Sequence, residues 1–188
     1  MKIQRRFGVP FLVLGVLTLL VVAAAILGVV QAPTGTDLSV HNAVNQTLTA
    51  ERVTGNFTQS GTPGTVHFTF VAPDHVTAYL AEPNKGASQA PRSSTGPSAK
   101  NVLEPVMTLG TLSGFRGNGA KFVISKPIAA LETGKPDPSL TGSFRAIATV
   151  ATGYVVRVRE DIAVAKGGRQ FSEQIDYKIQ RVDGWTRT

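Results

Sequence analysis

YVVRVREDIAVAKGGRQFSEQIDYKIQRVD, residues 154–183, decides the fold of this chain. Gly167-Gly168 interrupts an alternating pattern with a strong two-residue hairpin signal. A turn there pairs Lys166 with Arg169, and the register follows by counting outward. Val164 falls opposite Phe171, Val158 opposite Tyr177 and Val156 opposite Ile179, all on one face. On the other face Arg159 stands opposite Asp176, and Arg157, which opposes Lys178, can reach Asp176 diagonally. A slip of one residue would turn every apolar side chain outward, so the register is well specified. Two residues break the pattern: Glu160 and Glu173 lie on the apolar face. If Thr152-Gly153 is a second two-residue turn, Ser143 to Ala151 forms the next strand and Arg145 stands opposite Glu160. A structural ion pair or a solvated sheet rim is then the simplest expectation, and a polar cluster in a cavity the functional alternative.

Upstream, period two recurs in Val53 to Gln59, in Thr65 to Val71 with Val66, Phe68 and Phe70 on one side, and from Val76 to Leu80. His67 falls on a polar face and His75 in a turn, so both are expected to be exposed. Residues 81–100 contain no large apolar side chain and read as a mobile loop. Val102, Val106 and Leu109 have helical spacing, with Pro105 allowing only a short or broken helix. Lys121 to Ser125 is a short strand, and residues 134–138 form a loop rich in Gly and Pro. Before the strands, Asp37 is placed to cap a helix from Leu38 to Ala50, whose Val40, Val44 and Leu48 form one apolar stripe. His41 flanks that stripe as a boundary residue.

The N-terminal region has a different character. Lys2, Arg5 and Arg6 form a basic tail, residues 1–6, followed by 24 uncharged residues from Phe7 to Val30. Twenty-one residues from Pro10 would span roughly 30 Å as a helix, one bilayer core. Residues 7–32 therefore read as a transmembrane signal anchor, with the basic tail in the cytoplasm and the C-terminal domain outside. Val30-Gln31-Ala32 has small residues where a signal peptidase would cut, but Pro33 follows immediately. Residues 33–36 form a linker, and 37–188 an extracytoplasmic domain. The expected class is α+β: a single N-terminal transmembrane helix, an amphipathic helix and a curved antiparallel sheet.

Composition excludes several functions. The chain has 188 residues and no cysteine, so disulfides and thiolate chemistry are out. Three histidines lack metal-site spacing, and no nucleophile elbow, phosphate loop or calcium loop occurs. Neither a metal nor another cofactor is expected, and the chain does not read as an enzyme. Three of its nineteen basic residues lie in the tail, leaving sixteen against twelve acids elsewhere. They are scattered, without interleaved aromatics, which argues against nucleic acid as a partner.

The order of anchor, amphipathic helix, a strand beginning Val53-Thr54-Gly55-Asn56-Phe57 and the run from Val66 to Val76 resembles the start of the LolA-like and LppX/LprG-like lipid carriers of bacterial envelopes. The resemblance covers roughly Leu38 to Leu80. It implies a curved sheet wrapped around helices, with a cavity for acyl chains. The lipobox cysteine of the lipoprotein members is absent, which implies a tethered protein. The ending Tyr177 to Trp185 also resembles the last strand of Mce-associated, NTF2-like membrane proteins. The resulting expectation is a membrane-anchored domain binding a lipid or other hydrophobic ligand. Its expected lining is Phe68, Phe70, Val156, Val158, Ile162, Phe171, Ile175 and Tyr177. The alternative is a scaffold or accessory subunit of a bacterial envelope complex, with an envelope protein as its partner.

Overall fold

The computed structural model describes residues 35–83, 90–131, 137 and 139–184. The expected anchor at 7–32 lies outside them, as does Trp185. No helix among the described residues is long and apolar enough to cross a membrane.

Nine strands form one sheet: β1 (Arg52–Gln59), β2 (Thr65–Val71), β3 (His75–Ala81), β4 (Arg92–Thr95), β5 (Arg116–Asn118), β6 (Lys121–Pro127), β7 (Leu140–Ala151), β8 (Tyr154–Lys166) and β9 (Arg169–Asp183). Their spatial order is β4-β3-β2-β1-β9-β8-β7-β6-β5. Every neighbouring pair is antiparallel. The chain thus builds one wing from β1 out to β4, crosses to the far edge at β5, and returns strand by strand until β9 pairs with β1. The crossover carries a 3-10 helix (Pro97–Leu103) and α2 (Glu104–Thr111), and α1 (Gly35–Leu48) precedes β1. Helix α1 packs on α2 and against β5, β7 and β8, whereas the 3-10 helix packs on β2, β3 and β4.

The β8–β9 register is the one counted from Gly167-Gly168, with Lys166 opposite Arg169, Val164 opposite Phe171 and Val158 opposite Tyr177. Both glycines have positive φ, 57° and 76°, as this tight turn requires. On the outer face Arg157 reaches Asp176 diagonally, donating from Nε at 2.7 Å and from a terminal nitrogen at 2.5 Å. Arg159 and Lys178 approach the same carboxylate at 3.6 and 3.7 Å.

The β7–β8 register departs from the expected one. Ala151 opposes Tyr154 and Val150 opposes Val155, but Thr149 then opposes Arg157, leaving Val156 as an extra residue. Val155 and Val158 are both fully buried, three positions apart, and only a bulge lets both point inward from one strand. The shift places Arg145 opposite Asp161, and Glu160 opposite Ala146. The expected Arg145–Glu160 pairing is therefore absent. Gln180 is a second extra residue, where β9 turns both Ile179 and Val182 inward beside β1.

Other differences are local. Helix α1 begins at Gly35, inside the expected linker, and ends at Leu48. Asp37 lies within its first turn, buried, and accepts the backbone N–H groups of Gly114 and Phe115 at 2.9 and 2.8 Å. The Phe115 N–H is buried and needs an acceptor, so the carboxylate joins the helix to the entry of β5. His41 donates from Nε2 to the Leu112 carbonyl oxygen at 2.8 Å. The expected loop 81–100 contains β4, which pairs with β3, and the start of the 3-10 helix. Pro105 sits at the start of α2, where its missing N–H breaks no helical bond. His67 and His75 are half-buried; His67 stacks on Tyr79 with ring centroids 4.9 Å apart.

Candidate functional site

One face of the sheet meets the helices, but they fill it unevenly. Under α1 the floor is closed by Phe122, Ile124, Ala146, Ala148, Val155 and Val158, all buried in one core cluster with Val40 and Val44. Toward β1, β2 and β3 the floor is not filled. A cavity of about 460 Å³ lies there, between the sheet and the segment formed by the 3-10 helix and α2. Phe57, Val66, Val76, Ala78, Ile162 and Ile175 provide apolar wall from the sheet. Ala99, Val102 and Pro105 face them from the crossover. The small side chains of Ala78 and Ala99 leave the space open, and Ser93, Ser94 and Ser98 also line it.

Three of the eight expected lining residues do line this cavity: Ile162, Ile175 and Tyr177. Phe68, Phe70 and Val158 are on the inner face but buried in packed core. Val156 is the bulge residue and is half-buried. Phe171, beyond the end of the cavity, is 43% exposed. Sequence reasoning missed Phe57, Gln59 and the entire helical wall. The signal for the polar part was present: Glu160 and Glu173 stood on an otherwise apolar face.

The register explains how these polar groups meet. Ile175 pairs with Glu160 on one side and Gln59 on the other. Glu173 and Tyr177 flank Ile175 on β9, so each is a diagonal neighbour of Glu160, about 7–8 Å away along the backbone. Glu173 accepts a hydrogen bond from the Gln59 side-chain amide. Glu104, in the first turn of α2, lines the cavity from above. Burial, reinforced by the charges of Glu104 and Glu173, pushes the Glu160 carboxyl up to about 8. The group is therefore mostly protonated at neutral pH. Burial also raises Glu173, against the opposing effect of the Gln59 hydrogen bond. Burial alone raises the Tyr177 hydroxyl well above its ordinary value. Tyr177 stacks on Phe57 and Phe68, with centroids 6.1 and 5.3 Å apart.

Chemically, the site combines an apolar volume in the ~300–1,000 Å³ range of small-molecule pockets with a few convergent polar groups. No group of three His, Asp or Glu among the described residues is disposed to hold a metal ion. A scan of protein-family models matches none to this chain, and a search of curated proteins finds none similar to it.

Proposed function

We propose that this chain is a membrane-anchored, extracytoplasmic domain that binds a lipid or other hydrophobic ligand without catalysing a reaction. The observation that carries this reading is the unfilled apolar cavity in a domain whose other half is closely packed. An apolar space of this size with a few convergent polar groups has the make-up of a ligand site, which favours an occupant. Each buried methylene of an acyl chain would contribute about 0.8 kcal/mol. The bulges at Val156 and Gln180 bend and twist their strands, which supports the curved sheet of the LolA-like carriers. The uncharged run from Phe7 to Val30 supports the anchor, with the basic tail on the cytoplasmic side.

The test compares the native chain with Ala78→Trp, which projects an indole into the cavity. Both are taken from membranes into nanodiscs and examined by native mass spectrometry. The expected result is a lipid-sized extra mass on the native chain that the variant lacks. Equal adducts on both, or none on either, would reject the cavity as a ligand site and favour a scaffold role.

A further inference from the structure

The wall of this cavity is mostly apolar, yet three carboxyl side chains line it: Glu104 from α2, Glu160 from β8 and Glu173 from β9. Arg92 of β4 is the only basic residue among the described lining residues. Two buried polar atoms in the same wall have no hydrogen-bond partner among the described residues: one carboxyl oxygen of Glu160 and the hydroxyl of Tyr177. These side chains are 6% and 1% exposed, respectively. Leaving such groups unpaired is costly, so each calls for a partner that the protein itself does not supply. Beside them stand the stacked rings of Phe57 and Tyr177, both on the cavity wall.

Carboxylates next to aromatic rings form the chemistry that recognises an ammonium group. The oxygens accept its N–H bonds and the ring faces attract its charge. An anionic head at Glu160 would add negative charge beside Glu104 and Glu173, whose charges already act on that carboxyl. A calcium or magnesium ion would need about six oxygens at short range, and no group of three His, Asp or Glu among the described residues is disposed to hold any metal ion. We infer that the ligand is a primary alkylammonium amphiphile, seated with its nitrogen at Glu160 and Tyr177 and its chain along Phe57, Ile175 and Val76. The inference rests on the reading of this cavity as a site for a hydrophobic ligand.

A bound cation favours ionised Glu160. Binding should therefore strengthen as pH rises from 6 to 8, while the amine stays protonated. The groups facing Glu160 act in a consistent direction. Glu173 and Tyr177 approach from β9 and Glu104 from α2, and β7 presents only Ala146 opposite it.

The test is calorimetric titration of the full chain in zwitterionic nanodiscs with octylamine, octanol and octanoate. The Ala78→Trp variant measures partitioning into the bilayer. Octylamine is expected to bind about tenfold more tightly than octanol near neutral pH, as charge-assisted hydrogen bonds warrant. Glu160→Gln should narrow that ratio to about twofold, and Tyr177→Phe should narrow it less. Equal binding of octylamine and octanol, or tightest binding of octanoate, would overturn the inference while leaving a hydrophobic site in place. If no compound distinguishes the native chain from Ala78→Trp, the hydrophobic-ligand reading fails as well.

Discussion

The two halves of the inner sheet face belong to one continuous sheet and differ in what covers them. Beneath α1, Val40 and Val44 share one buried core with Phe122, Ile124 and two alanines of β7, and the space closes. Beneath the 3-10 helix, inward-facing Phe57, Val66, Val76 and Ala78 remain only half-buried. Their alternation is as regular as that of the closed half. Period two thus specifies which way a side chain points; the covering segment decides whether it ends in core or in a cavity. Polar residues follow the same division. The closed half buries Thr47 with both hydrogen-bonding functions used: its hydroxyl donates to the Ala43 carbonyl and accepts the Val155 N–H. The open half buries Glu160 and Tyr177 with atoms left unpaired.

The largest expected effect tests packing directly. Phe122→Ala should cost about 3–5 kcal/mol, as for large core truncations, and Ile175→Ala at the cavity wall about 2 kcal/mol or less. Urea unfolding of the two variants measures the contrast, and equal losses would break it. Next in size is Glu160→Gln. The folded carboxyl titrates near 8 against an ordinary value of 4.5, so the folded state holds its proton more tightly than the unfolded chain. Stability from this group is complete below about pH 4.5 and falls by about 1.4 kcal/mol per unit as pH rises toward 8. The variant should therefore match the native chain at pH 4 and exceed it by a few kcal/mol at pH 8. Melting temperatures across that range check the sign; a native chain that gains stability toward pH 8 relative to the variant would contradict it. The smallest effect belongs to the closed half. Thr47→Val removes the acceptor for the Val155 N–H and should cost about 1–2 kcal/mol, read from urea midpoints. No loss would mean that this polar contact contributes nothing to closing α1 over β8.

How much of this was legible depended on the residue types. The β8–β9 register was readable because Gly167-Gly168 admits one tight turn and opposed residues can be counted from it. The bulge was not, because Val155, Val156 and Val158 are the same residue, and any two of them could face inward. That single ambiguity moved Arg145 away from Glu160 and turned an expected ion pair into a buried, unpaired acid. Strand β4, whose Arg92, Ser93 and Ser94 line the cavity, was hidden for another reason. Arg92 to Thr95 alternates nothing, since all four residues are polar, yet it pairs as an edge strand exposed throughout. The expected membrane segment rests on composition alone and lies outside the described residues.

The pairing of β1 with β9 has a consequence for how the protein is made. These strands are separated by more than a hundred residues, and their seam joins the two wings of the sheet. Of the nine strands, β9 leaves the ribosome last, so β1 waits with an open edge while more than a hundred further residues are made. Such non-local closure is slow and exposes strand edges to wrong partners. The seam between the two wings is accordingly among the last contacts that the nascent chain can make, whatever the cavity contains.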